Sequence, residues 1–169
     1  MDYFNVKLAQ DEIALIVVCD ICSSSAIVED LFDQGRRECY ARFLEKMKHY
    51  FAEVQVQAAA HSKFALYKFT GDGWIFLFPT ERNGAYVVGF MRDFTAWFKR
   101  VFAEMIQPHL DHLPTTLGVT FGVAKGSLHR LTMYGRHEYF GPGINIACWL
   151  QGAVKVKDKA PAYKALVSQ

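Results

Sequence analysis

Residues 67–78 read Tyr-Lys-Phe-Thr-Gly-Asp-Gly-Trp-Ile-Phe-Leu-Phe, two apolar, aromatic-rich runs that meet at Gly71-Asp72-Gly73. Such runs favour strands, and glycine supplies the positive φ of a tight reversal. The segment therefore predicts a β-hairpin, with strands over Phe64–Phe69 and Trp74–Phe78 and a stop at Pro79. A two-stranded hairpin is not stable alone in water, so the rest of the chain has to cover it. Its turn holds one carboxylate, Asp72, with Lys68 four residues upstream. A turn aspartate by itself is a solvated residue, and its meaning depends on what else reaches it.

The run Ile13–Cys19 is continuously apolar and rich in β-branched residues, which predicts a strand buried on both faces. It ends at Asp20. The small polar residues that follow, Cys22-Ser23-Ser24-Ser25, can open a helix and offer backbone N–H groups to an anion. Apolar residues at three- and four-residue spacing predict helices over Gly35–Val56 and over about Glu81–Ile106. Pro108 and Pro114 bracket a loop. Thr116–Val123 and Gly126–Tyr134 are predicted as two strands of a second hairpin, turning at Ala124-Lys125-Gly126. From Glu138 to Leu150 a strand end, a Gly141-Pro142-Gly143 break and a helix are expected, with Pro142 in the first turn. The order strand, helix, hairpin, helix, hairpin, helix argues an α+β fold, one mostly antiparallel sheet flanked by helices. With 169 residues, 51% of them hydrophobic, there is core for one domain over 1–169 but not for two.

The formal net charge of +2 gives no basic surface for nucleic acid and no polybasic membrane anchor, so neither partner is expected. The longest apolar run is far short of the roughly 20 residues that span a bilayer. The first residues carry no basic segment ahead of an apolar one, so no signal peptide is expected and the protein is read as cytoplasmic. Cys19, Cys22, Cys39 and Cys148 lack the second pair of a zinc site and are read as reduced, buried thiols. The six histidines have no ligand spacing that competes with the acids.

Asp20 and Asp72 each end a predicted strand. If those strands are neighbours, the two carboxylates meet at one edge and are the right hard ligands for two Mg²⁺ or Mn²⁺ ions that would activate an oxygen nucleophile and steady a phosphate. Three blocks then resemble the catalytic domain of class III nucleotidyl cyclases. Val18-Cys19-Asp20-Ile21-Cys22-Ser23-Ser24-Ser25 is similar to the first metal aspartate and phosphate-cradling turn, with Ser23 and Ser24 as substrate contacts. Lys68-Phe69-Thr70-Gly71-Asp72-Gly73 is similar to the base-reading lysine and second metal aspartate. Tyr139-Phe140-Gly141-Pro142-Gly143-Ile144-Asn145-Ile146-Ala147 is similar to the turn and helix that bring a ribose-orienting asparagine, here Asn145. The match runs over about residues 13–150.

The resemblance implies a class III cyclase fold with a ferredoxin-like core, two Mg²⁺ or Mn²⁺ ions per active site, and a head-to-tail homodimer with composite sites. Asp20 and Asp72 of one subunit would hold metal, and Lys68, Glu138 and Asn145 of the other would meet base and sugar. The implied reaction is attack of the ribose 3′-oxygen on the α-phosphate of a nucleoside triphosphate, with pyrophosphate leaving. Two departures stand out. Trp149 occupies the place, four residues after Asn145, where the family carries an arginine that stabilises the transferring phosphate. Arg130, Arg136, Lys155 or Lys157 would have to replace it, or the domain binds nucleotide without turnover. The chain also ends before a late lysine-bearing strand of many members, leaving a triphosphate contact unassigned. Lys68 suits a carbonyl oxygen such as uracil O4 or O2, and Glu138 suits an amino group of cytosine or adenine, while Tyr50 and Trp149 are bulky candidates to narrow the pocket. The altered arginine and the absence of a sensor module resemble the bacterial pyrimidine cyclases of anti-phage defence, whose cyclic nucleotide is read by a separate effector. UTP is the favoured substrate, CTP the next pyrimidine, and ATP the purine alternative.

Overall fold

The structure, a computed structural model, describes residues 9–58, 64–80, 84–157 and 160–168, and for 9–11 and 155–157 the backbone alone. Among the described residues six strands form one sheet: β1 (Ala9–Cys22), β2 (Ala65–Phe69), β3 (Gly73–Pro79), β4 (Gly118–Met133), β5 (Arg136–Phe140) and β6 (Ala165–Val167). The α-helices among the described residues are α1 (Ser24–Asp33), α2 (Arg37–Gln57), α3 (Gly84–Met105) and α4 (Pro142–Lys157). The order across the sheet is β2-β3-β1-β4-β5, all neighbours antiparallel, with β6 parallel to β4 beside residues 121–123. The expected mixed fold with a mostly antiparallel sheet is observed. No helix among the described residues is long and apolar enough to cross a membrane.

β1 is the central strand because it is covered on both faces. Val17, Cys19 and Ile21 point to one side, where Phe76, Phe121 and the aromatics of α2 and α3 pack. Ala14, Ile16 and Val18 point to the other, against Ile75, Leu77 and Ala147 of α4. Strict alternation on a doubly covered strand yields the continuous apolar run seen in the sequence. The larger core is aromatic: Phe51 is fully buried and meets Trp74, Phe76 and Phe94 with centroids 5.3, 4.9 and 4.9 Å away. The sheet curls so far that its outer strands touch. Tyr67 of β2 lies edge-on to Tyr139 of β5 at 5.1 Å, and the Tyr139 N–H donates to its hydroxyl at 3.0 Å.

Two local expectations are corrected. Gly35 ends α1 rather than starting α2: at φ 70 it donates to Phe32 O at 3.0 Å, and Arg36 N–H donates to Leu31 O at 2.7 Å, the paired bonds of a left-handed glycine stop. The segment 116–134 is not a hairpin turning at 124–126, because residues 118–133 form one long strand, β4. Ala124 and Gly126 pair with Ile16 and Ala14 of β1, and Gly126 is glycine because a Cβ there would lie 2.6 Å from Gly143 Cα of α4. The reversal comes instead at Tyr134-Gly135, both at positive φ, the signature of a two-residue hairpin loop. Residues 155–157 are the end of α4, and 160–164 lead into β6; residues 81–83, expected to start the second long helix, lie outside the described residues.

Candidate active site

Asp20 stands two residues before the end of β1, paired with Gly73 of β3 on one side and Thr120 of β4 on the other. Gly73 has to be glycine: a Cβ would sit 2.4 Å from Cys19 O and 3.3 Å from Asp20 Oδ1. That closeness presses the Gly-Asp-Gly turn onto the end of β1, where Ile21 N–H donates to Asp72 O at 3.2 Å. The two acids that the sequence places 52 residues apart are thereby neighbours. Ser24, the first residue of α1, donates its hydroxyl to Asp72 Oδ2. Gln151 of α4 donates Nε2 to Asp20 Oδ2 at 3.2 Å and to Thr120 Oγ1 at 2.9 Å.

The field of both acids is felt by two side chains nearby. Burial pushes the Cys19 thiol far up; the Trp74 N–H opposes this, and the charges of Asp20 and Asp72 add to it. Burial likewise raises the Tyr40 hydroxyl, and Asp72 and Asp20 raise it further. That hydroxyl is buried without a hydrogen-bond partner among the described residues. Among the described residues no three His, Cys, Asp or Glu side chains gather as a complete metal cage. Two carboxylates with no imidazole or thiolate still fit a small hard dication, since Mg²⁺ is commonly held by one or two carboxylates and completed by water and substrate phosphates. All four cysteines are free, Cys19 and Cys22 buried and Cys148 exposed.

Ser23 does not point to the acids. It takes a left-handed conformation at φ 58 and donates its hydroxyl to Thr116 O at 2.8 Å, so its role here is to tie α1 to the segment before β4. Any anion contact at this turn would fall to the N–H groups that open α1.

A second group lies where β2 and β5 meet. Tyr67 hydroxyl sits 2.9 Å from both Glu138 Oε2 and Tyr139 O, and its one proton can serve either acceptor. Burial, then the Glu138 carboxylate, raises its pKa against the opposing Tyr139 N–H. Lys68 is exposed, with Nζ 6.0 Å from the Tyr67 ring centre, and lines a groove of about 480 Å³ with Leu44, Lys48 and Trp74. Asn145 and Trp149 are one turn apart on the exposed side of α4, Trp149 being 65% exposed. Gly143 Cα against Gly126 seats the start of this helix on β4.

Tyr50, expected to narrow the pocket, is elsewhere. It stacks on Trp97 at 4.4 Å and on Phe94 at 5.9 Å, between α2 and α3, and burial pushes its hydroxyl up to about 12. It is half-buried and packs against the core along the helical stripe it belongs to. Arg130 pairs with Glu12 at 3.6 Å, Arg136 is exposed at the start of β5, and the side chains of Lys155 and Lys157 lie outside the described residues.

No family model matches the sequence, and no curated protein matches it. Solved structures do. The adenylyl cyclase CyaB from P. aeruginosa superposes with a TM-score of 0.70 at 15% identity, over 98% of this chain and 80% of its own. The guanylyl cyclase Cya2 gives 0.66 at 14% identity, over 87% and 73%. The fold is that of class III nucleotidyl cyclases. A bacterial light-regulated adenylyl cyclase shares it with a TM-score of 0.64 at 18% identity; this chain matches over 90% of its own length but only 42% of that protein's.

Within the class III cyclase fold, sequence reasoning missed Gln151, Thr120 and Tyr67. Gln151 and Thr120 carry no motif, and their contact with Asp20 depends on how α4 lies on β4. Tyr67 sat inside the hairpin block, read as a strand aromatic. The one available signal was its position next to Lys68.

Proposed function

We propose that the chain is a nucleotidyl cyclase that converts a ribonucleoside triphosphate, with UTP favoured, to its 3′,5′-cyclic monophosphate and pyrophosphate. The observation that carries this reading is that the turn holding Asp72 lies against the end of β1 that carries Asp20, through the Asp20–Gly73 register and the Ile21 N–H to Asp72 O bond, in a class III cyclase fold. Asp20 and Asp72 would hold the divalent ions, which when bound make the ribose 3′-hydroxyl a better nucleophile and offset charge on the triphosphate. Ser24 steadies Asp72, and the N–H groups opening α1 receive phosphate oxygens. In a head-to-tail homodimer, Lys68 of the second subunit donates to a base carbonyl and Glu138 accepts a base N–H. Asn145 hydrogen-bonds the sugar and sets the 3′-oxygen in line with the α-phosphate. Uracil presents a carbonyl beside an N–H, the pair that Lys68 and Glu138 complement. The product would act as a second messenger in bacterial anti-phage defence, read by a separate cyclic-nucleotide-binding effector.

Purified protein incubated with each of the four ribonucleoside triphosphates and Mn²⁺ should yield cyclic UMP as the main product. Cyclic AMP as the main product would move the assignment to adenylate cyclase. Trp149 favours one other reading, a domain that binds nucleotide without turnover, because a neutral indole cannot replace a guanidinium on the transferring phosphate. Folded dimer that binds nucleotide and releases no cyclic product would establish that reading. The defence role is checked by phage plaque counts on bacteria carrying the chain with its effector, against the same cells with Asp72→Ala.

A further inference from the structure

The acid Asp20 is held by a helix from the far end of the chain. Gln151 Nε2 donates to Asp20 Oδ2 at 3.2 Å and to Thr120 Oγ1 at 2.9 Å, and Thr120 Oγ1 lies 3.5 Å from the backbone carbonyl of Asp20. Thr120 is fully buried, so its hydroxyl gives the amide a fixed partner. The reach of Gln151 is fixed as well. Gly122 of β4 has no side chain, and a Cβ there would come within 2.0 Å of Ala147 O and 2.4 Å of Gln151 N. The α4 backbone therefore lies directly on β4, which puts the Gln151 amide within reach of both Thr120 on β4 and Asp20 on the neighbouring strand β1.

We infer that Gln151 is a positioning residue for metal binding: its amide orients the Asp20 carboxylate, with Thr120 as the second anchor. This rests on the proposed metal role of Asp20. A bond to one carboxylate oxygen restricts rotation of the group. Partners of this kind typically change metal affinity about 10- to 100-fold when removed. One consequence concerns the helix as a body. α4 presents Asn145 from its exposed side and Gln151 from the side facing the sheet, so the sugar-facing residue and the positioner of the metal acid are carried by one rigid element.

The test is Mn²⁺ binding, read by the paramagnetic resonance signal of free Mn²⁺, in the presence of a non-hydrolysable nucleoside triphosphate and without turnover. Gln151→Met keeps the length and bulk of the side chain and removes the donor. It should weaken Mn²⁺ binding about 10-fold or more, with the thermal midpoint close to wild type. In turnover, the Mn²⁺ concentration for half-maximal rate should rise by the same factor while the nucleotide KM at saturating Mn²⁺ stays within about twofold of wild type. Thr120→Val, which removes the second anchor with little change of shape, should weaken Mn²⁺ binding in the same direction and keeps the test open if Gln151→Met does not fold. Wild-type affinity in the folded variants would overturn the inference. Asp20→Asn separates the two levels: Mn²⁺ binding lost in that variant but retained in Gln151→Met overturns the positioning role alone. Mn²⁺ binding unchanged in Asp20→Asn overturns the metal role of Asp20, and the positioning inference with it.

Discussion

Asp72 is proposed as a metal ligand, and its contribution to stability is small: it is half-buried in a turn and takes one hydroxyl hydrogen bond from Ser24. Asp72→Ala should abolish cyclic nucleotide formation while costing about 1 kcal/mol of stability, measured by product chromatography beside urea unfolding. Gly73 behaves in the opposite way. A methyl group 2.4 Å from Cys19 O has no room, so Gly73→Ala should destabilise by about 1–3 kcal/mol. The same change should weaken Mn²⁺ binding, because it pushes the turn that carries Asp72 away from Asp20. Both residues could be singled out in the sequence. That the glycine is required by a neighbouring strand rather than by φ could not, since the turn glycine at positive φ is Gly71.

At the scale of elements, α1 is pinned at its middle by Asp30, whose carboxylate accepts from Asp111 N–H at 2.8 Å and His112 N–H at 3.2 Å. Desolvation pushes this carboxyl up, but the His112 and Asp111 donors with Gln34 outweigh it, and the net shift is downward. A carboxyl lowered in the folded state stabilises above its ordinary range, near pH 4, and the contribution is lost as pH falls through the folded value. Hydrogen exchange at Asp111 and His112 should therefore accelerate in acid, and Asp30→Asn should flatten that pH dependence. The packing of α4 on β4 is tighter still. Gly122→Ala would place a methyl 2.0 Å from Ala147 O, so α4 must lift, at a cost at or above about 3 kcal/mol, visible as a lower thermal midpoint. Helices and the first hairpin were legible because apolar period and turn chemistry are local. β4 was misread because Gly126, a turn signal in sequence, serves helix packing instead.

For the whole molecule, the proposed composite sites make a direct prediction. Asp20→Asn and Lys68→Ala proteins should each be inactive, and mixing them should restore activity to about one quarter of wild type, since half the dimers are mixed and each has one intact site of two. No recovery after subunit exchange would sink the head-to-tail arrangement. What the sequence alone determined is whatever neighbouring residues dictate: the doubly buried first strand, the Gly-Asp-Gly turn, the amphipathic helices and the glycine-proline break before Asn145. Only the tertiary structure decided who meets whom. Asp20 and Asp72 become neighbours through the register of β1 against β3. Gln151 reaches Asp20 across 131 positions of chain, and Tyr67 reaches Glu138 across 71. The stack on Trp97 holds Tyr50 half-buried between α2 and α3, apart from the groove that Lys68 lines. These are facts of register, sheet curl and helix seating, set by packing between distant segments, and local composition carries no record of them.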